Sequence, residues 1–276
     1  MKTAATPADI GVIGGSGFYS FLEQTERVKV TTPFGDPTDD IVIGEVAGRR
    51  VAFLARHGQG HTYPPHRLNY RANLWALRSV GVRQVLAPCA VGSLIREQGP
   101  STVVVPDQVV DRTYGREQTV YDAPGTVVHV SLADPYCPQG RAAVLASDAP
   151  GLDLIDGGTM VVINGPRFST RAESLWHQSA GWSVVGMTGM PEAAIARELA
   201  MCFTTVCLVT DLDAGVDSDE AVSHQAVLKV FERNIEALKS LLKDTVAKLP
   251  DPVPDADATC GCRRSLDGLS LPFELP

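Results

Sequence analysis

The stretch Asp9-Ile10-Gly11-Val12-Ile13-Gly14-Gly15-Ser16-Gly17 reads as a short strand that runs into a cluster of glycines. Ile10, Val12 and Ile13 favour the pleated chain, and the glycines after them permit a tight loop with unhindered N–H groups. A strand that delivers its backbone into such a loop is how open α/β sheets build ligand sites. Gly14-Gly15-Ser16-Gly17 offers an anion several N–H groups and one hydroxyl. It lacks the G-x-G-x-x-G spacing of a dinucleotide loop, and no lysine follows it as in a Walker loop.

Working outward, further strands are expected at residues 41–46, 51–54, 82–87, 102–105, 160–163, 184–187 and 204–209. Several are continuous apolar runs, the pattern of strands covered on both faces. Helical patterns lie between them at 69–80, 169–180 and 191–201, with Pro191 and Glu192 suited to a first turn. A longer helix near the C-terminus carries Val227, Phe231, Ile235, Leu238, Leu242 and Val246 on one face, with Ser223 as its N-cap. Strands alternating with helices predict an α/β fold, a single three-layer domain with a central mixed sheet flanked by helices, over residues 1–249. Residues 250–276 are polar and broken by proline, which predicts an irregular tail laid on the surface or partly disordered, with Leu269, Leu271, Pro272 and Phe273 as the residues to dock it.

The 276 residues are 44% hydrophobic and carry a formal net charge of −8, enough apolar material for a core and no basic run for a phosphate backbone. Nucleic acid is therefore not an expected partner. Neither a membrane span nor a signal core is expected, so the reading is cytoplasmic. Of six cysteines, Cys89, Cys137, Cys202 and Cys207 sit among apolar or aromatic neighbours and read as reduced core residues. Cys260-Gly261-Cys262 leaves three readings open: a local disulfide, a metal site completed from elsewhere, or an inert pair.

The chemistry is expected at strand ends. Arg56-His57-Gly58-Gln59-Gly60-His61 presents a guanidinium and two imidazoles after residues 51–54, and Arg is the natural partner of phosphate oxygens. His57 and His61 have no carboxylate or cysteine beside them, so no metal site is expected there. Phe168-Ser169 sets an aromatic face beside a hydroxyl, suited to a flat heterocycle. Asp211 and Asp213, at i and i+2 of an extended segment, can accept from an amino group and, with one pKa raised, donate a proton.

These motifs, in this order, resemble the trimeric nucleoside phosphorylase family, most closely its S-methyl-5′-thioadenosine phosphorylase branch. The match runs from Ile10 to about Leu249 and includes Asn69-Tyr70-x-Ala72-Asn73, Gly92-Ser93-Leu94, Gly165-Pro166-Arg167-Phe168-Ser169 and Met187-Thr188-x-x-Pro191-Glu192. It implies a nucleoside phosphorylase-like fold and reversible phosphorolysis of a purine nucleoside, with inorganic phosphate as co-substrate and neither metal nor organic cofactor. By the same resemblance Ser16, Arg56, His57, Ala90 and Thr188 form a phosphate cradle; Cys89 stands where relatives place Thr or Asn beside the phosphate. Met187 touches the ribose, with His61 near ribose and phosphate, and Phe168, Ser169, Asp211 and Asp213 form the purine site.

Phe168-Ser169 and Thr210-Asp211 depart from the 6-oxopurine branch, where Glu and Asn are typical, so adenine is the expected base. The implied reaction converts S-methyl-5′-thioadenosine to adenine and 5-methylthioribose 1-phosphate, with adenosine or 5′-deoxyadenosine as further candidates. His224 stands where the branch usually has an apolar residue, while Val227 keeps one. His224 and Ala214-Gly215 keep a purine nucleoside phosphorylase acting on inosine or guanosine as the alternative. The resemblance further implies a homotrimer with active sites at subunit interfaces, His129 being lent to a neighbour. Cys260-Gly261-Cys262 is similar to a tail motif that forms a disulfide in family members from hot environments.

Overall fold

The computed structural model describes residues 7–15, 18, 22–216 and 221–276, and gives the backbone alone at 23 and 24. Ser16 and Gly17, part of the expected anion loop, lie outside the described residues.

Among the described residues, eleven strands form one mixed sheet. In chain order they are β1 (Ile10–Gly14), β2 (Glu23–Val28), β3 (Ile41–Val46), β4 (Arg49–Ala55), β5 (Gln84–Ser93), β6 (Thr102–Val105), β7 (Gln108–Arg112), β8 (Asp153–Asp156), β9 (Thr159–Ile163), β10 (Val184–Gly186) and β11 (Cys202–Leu212). The helices are α1 (Tyr70–Ser79), α2 (Pro138–Leu145), α3 (Arg171–Ser179), α4 (Gly189–Glu198) and α5 (His224–Lys248). The α/β reading and the central mixed sheet are borne out.

The alternation of strand side chains makes the three layers. Ile13, Leu54 and Phe203 pack on one face with Leu74 and Leu77 of α1 and Ile195 of α4. Ile10, Val12, Phe53 and Leu208 pack on the other face with Leu238, Leu242 and Val246 of α5 and Val144 of α2. With both faces covered, β1 is buried at every position, which is why its sequence is a continuous apolar run.

The sheet opens at β5. Its first residues pair in parallel with β1 (Gly11 with Val85, Val12 with Leu86), and its last pair antiparallel with β10 (Val185 with Gly92, Val184 with Ser93). Between these, β1 and β10 part, and among the described residues, 87–91 have β11 alone as a strand partner. Strand ends diverging around one strand create the crevice in which α/β sheets bind ligands.

Three short strands were not expected. β2, β7 and β8 each lie at an end of the sheet, where one edge has no neighbour and polar residues such as Glu26, Gln108 and Asp153 are tolerated. α2 was missed as well; it is eight residues long. α1 falls where its pattern predicts, capped by the Asn69 side chain, which accepts from the Ala72 N–H. α4 is broken at Met190 (φ −121°, ψ 135°), so the continuous helical run begins after Pro191. Ser223 occupies the N-cap of α5, but its side chain makes no capping hydrogen bond.

Residues 250–276 lie along the domain with only a short 3-10 turn, Asp255–Asp257. Phe273 docks against Trp75 and Tyr121, with ring centroids at 5.6 and 5.2 Å, whereas Leu269 stays exposed. Cys137 and Cys202 are buried and free, as the sequence predicts; what it does not reveal is that both meet Cys260 and Cys262 in one buried cluster of free thiols.

Candidate active site

The crevice around β5 is a cavity of about 490 Å³. Arg56, His57, His61, Cys89, Ala90, Phe168, Ser169, Met187, Thr188, Asp211, Asp213, His224 and Val227 all line it. Thus every expected site residue among those described lies there except His129, which is exposed in an irregular segment elsewhere.

Arg56 follows β4, and its N–H donates to the Gly14 carbonyl, extending the β1–β4 ladder by one step (2.9 Å). Its side chain is almost wholly buried. Nε donates to Glu192 Oε1 at 2.6 Å, Nη2 to Glu192 Oε2 at 3.1 Å, and Nη1 to the Pro88 carbonyl at 3.0 Å. A guanidinium has five N–H donors, so one on each Nη remains for a ligand. Burial opposes the charge, but the Glu192 carboxylate more than offsets it and holds Arg56 above the ordinary arginine value. Glu192, which the sequence shows as a first-turn acid and as the end of the Met187–Glu192 motif, is therefore the residue that aims Arg56.

His57 and His61 stack, with centroids 4.1 Å apart. His57 Nδ1 lies 2.8 Å from the Tyr63 carbonyl, which can only accept, so Nδ1 carries the proton and Nε2 a lone pair. Burial lowers His57 to about 4, with the charges of Arg56 and His61 adding to the effect. A neutral His57 can take the hydrogen bond of a protonated phosphate oxygen. Thr188, at the N-cap of α4, makes no capping bond with its hydroxyl. Cys89 lies 3.8 Å, sulfur to sulfur, from Cys207, which holds the Cys89 thiol below its usual range.

Asp211 and Asp213 reach the cavity from the end of β11. The register of β11 against β5 shifts between Val209 and Asp211, so Thr210 is an inserted residue. Such a bulge re-aims the strand beyond it. The Thr210 hydroxyl donates to Asp211 Oδ2 at 2.8 Å. Burial raises Asp211 to about 6, against that hydrogen bond and with the help of Asp213. Burial raises Asp213 too. Asp213 Oδ2 and the Ser169 and Ser174 hydroxyls are buried together, close enough for the two hydroxyls to lower the Asp213 pKa, yet among the described residues none of the three makes a well-formed hydrogen bond.

Phe168 and Ser169 are delivered by the turn after β9. Gly165 adopts φ +63°, and a Cβ there would lie 2.6 Å from Met187 Sδ, so this glycine gives Met187 its place. The turn ends in α3, where Thr170 and Glu173 form a capping box and Arg167 donates twice to Glu173 at 2.7 Å. Arg116, unremarked in the sequence, donates to the carbonyls of Asn164 (2.8 Å), Met187 (2.9 Å) and Met190 (2.6 Å). It joins the ends of β9 and β10 behind the site. The opposite wall is α5: His224, Val227, Leu228 and Phe231 fall on one helical face and line the cavity.

The cavity thus combines a buried guanidinium with two N–H donors to spare, a carboxyl raised by burial to about 6, an aromatic face and an apolar wall. A family model described as the phosphorylase superfamily matches residues 9–247. The chain is 60% identical to a protein of Streptomyces coelicolor named purine nucleoside phosphorylase, over 98% of each chain. It is 53% identical to S-methyl-5′-thioadenosine phosphorylase of Mycolicibacterium smegmatis, over 97% of this chain and 99% of that one. A crystal structure of a methylthioadenosine phosphorylase from an Antarctic soil metagenomic library superposes with a TM-score of 0.86 at 39% identity, covering 96% of this chain and 92% of the other. On the family match and these identities, the chain belongs to the phosphorylase superfamily.

Proposed function

We propose that this chain is a pentosyltransferase that catalyses reversible phosphorolysis of S-methyl-5′-thioadenosine to adenine and 5-methylthioribose 1-phosphate. The observation that carries this reading is the pairing, in one cavity, of Arg56 with two uncommitted N–H donors and Asp211 with a pKa of about 6.

As the glycosidic bond lengthens, positive charge grows on the sugar and negative charge on the purine. Phosphate held by Arg56, Thr188 and the backbone at Cys89 and Ala90 stabilises the first and is placed to attack the anomeric carbon. His57 Nε2 accepts from the phosphate hydroxyl. Protonated Asp211 donates toward the purine N7 and relieves the second charge, while its other oxygen accepts from the 6-amino group. Phe168 stacks on the base, and Asp213 and Ser169 supply its remaining polar partners. Met187 packs on the ribose, and Val227, Leu228 and Phe231 form an apolar seat for the methylthio group. The reaction draws on phosphate as co-substrate and on side chains for the rest.

The relatives named for S-methyl-5′-thioadenosine support this substrate, and the apolar face of α5 agrees with it. A second reading, a purine nucleoside phosphorylase acting on inosine or guanosine, is favoured by the name of the 60% identical relative and by His224 in the cavity wall. A homotrimer is part of the proposal: His129 lies outside its own chain's cavity, and Tyr114, Val127 and Trp176 expose 74%, 73% and 48% of their surfaces, as residues of a subunit interface would in one isolated chain.

The test is base release from S-methyl-5′-thioadenosine, adenosine and inosine, each with and without phosphate. Phosphate-dependent adenine release, fastest from the methylthio substrate, is expected. Faster release from inosine selects the second reading, and release without phosphate rejects both.

A further inference from the structure

Four sulfurs meet far from the cavity. Cys137 is the N-cap of α2, Cys202 opens β11, and Cys260 and Cys262 come from the turn of the tail. All four side chains are buried, and their Sγ atoms lie within 4.8 Å of one another. Cys260 Sγ is 3.5 Å from Cys137 Sγ and 3.7 Å from Cys202 Sγ. A disulfide needs about 2.05 Å. Four thiolates around a tetrahedral zinc, at about 2.3 Å from the metal, are separated from each other by about 3.8 Å. The two Cys260 spacings match a tetrahedron's edge, and all four sulfurs lie within the 4.8 Å that one such ion can gather.

The surroundings fit a closed metal site. Four thiolates on a divalent ion leave a doubly negative centre after the four thiol protons depart, and such a centre needs a cation and N–H donors around it. Arg197, buried at the end of α4, aims Nη2 at Cys262 Sγ from 3.6 Å while donating to the Ser131 and Asp134 carbonyls. The Ser265 hydroxyl donates to the Arg197 carbonyl at 2.7 Å, tying the tail to the same helix end. Cys202 and Asp211 stand at opposite ends of β11, about 30 Å apart at strand rise. With four protein ligands and no open position, a metal here is structural and takes no part in phosphorolysis.

We propose that Cys137, Cys202, Cys260 and Cys262 bind one zinc ion, which fastens the C-terminal tail to α2 and β11. The soft donor set and tetrahedral spacing favour zinc among common divalent ions. Zinc would fix residues 260–262, and with them the path that brings Phe273 onto Trp75 and Tyr121.

The test is the metal content of the full chain, produced with zinc and purified under reductant. About one zinc per chain is expected, falling at least about tenfold in a Cys260→Ser, Cys262→Ser double variant. Cobalt replacing the metal in the unaltered chain should give thiolate-to-metal charge-transfer absorption, a readout that stands even if the double variant fails to fold. Chelation should speed proteolysis of the tail and leave phosphate-dependent base release measurable. Less than about a tenth of an equivalent after zinc is offered to the reduced chain overturns the proposal. So does zinc retained in the double variant, cobalt without thiolate absorption, or disulfides among these cysteines in the reduced preparation.

Discussion

Arg56 and Glu192, 136 residues apart in the chain, form a two-pronged ion pair of 2.6 and 3.1 Å with side chains 3% and 0% exposed. Removing one charge from a buried pair strands the other, at a cost of about 3–5 kcal/mol. Glu192→Gln should therefore lower the melting temperature by roughly 10 °C. Inorganic phosphate should restore more of this loss than it adds to the parent protein, because the anion supplies the missing charge. Thermal unfolding with and without phosphate measures it; equal phosphate shifts in the two proteins would mean that Arg56 does not face the anion.

Asp211 links catalysis to stability with opposite signs. Its carboxyl stands near 6 in the folded chain against 3.8 for an unperturbed aspartate. Between these values the folded chain binds more protons than the unfolded one. The stabilising contribution is therefore complete below about pH 4 and is lost as pH rises through about 6, amounting to about 3 kcal/mol at most. Asp211→Asn should melt higher than the parent at pH 7.5 and converge with it near pH 4. The same variant should lose at least about tenfold, or about 1.4 kcal/mol, in turnover of adenine nucleosides and shift its preference toward 6-oxo substrates. An unchanged substrate ratio would remove Asp211 from the base site.

The elements that a continuous apolar run or a helical period could reveal were legible in the sequence: β1, β3, β6, α1 and the inner face of α5. Burial on both faces leaves its mark in composition, whereas the edge strands β2, β7 and β8 carry polar residues and leave none. The site was legible where a strand end carries its own chemistry, as at Arg56-His57 and Asp211-Asp213. It was opaque where function depends on a distant partner. Glu192 acquires its role only when α4 is set beside β4, Arg116 only when three carbonyls converge on it, and Cys137 only when the tail folds back. Spacing along a chain carries no trace of such meetings.

Gly92 is the floor on which the two aspartates rest. A Cβ at this position would lie 3.0 Å from Asp211 Oδ1, 3.2 Å from Val185 Cγ1 and 3.3 Å from Asp213 Cβ. The backbone there is ordinary β5, so alanine is tolerated by the strand and refused by the site. Gly92→Ala should displace the Asp211 carboxylate by a few tenths of an ångström and lower kcat/KM for the nucleoside by about tenfold, with unchanged circular dichroism. Full activity in the variant would show that the Asp211 position seen here is not the one used in turnover.

His224 is the polar member of an otherwise apolar face, with Val227, Leu228 and Phe231 following at helical spacing along the same cavity wall. His61 lies close enough for the charge of His224 to add to the burial that lowers its pKa. Both imidazoles line the one cavity, and in the proposed substrate pose the 5′ substituent meets this wall of α5. An imidazole there can bond to a 5′-hydroxyl, whereas a methylthio group gains only from apolar contact. His224→Val should raise the ratio of kcat/KM for S-methyl-5′-thioadenosine over adenosine by about tenfold, chiefly through a loss on adenosine. Parallel kinetics on the two substrates decide the matter. If the ratio does not move, His224 does not face the 5′ position, and discrimination there belongs to the apolar residues of α5 alone.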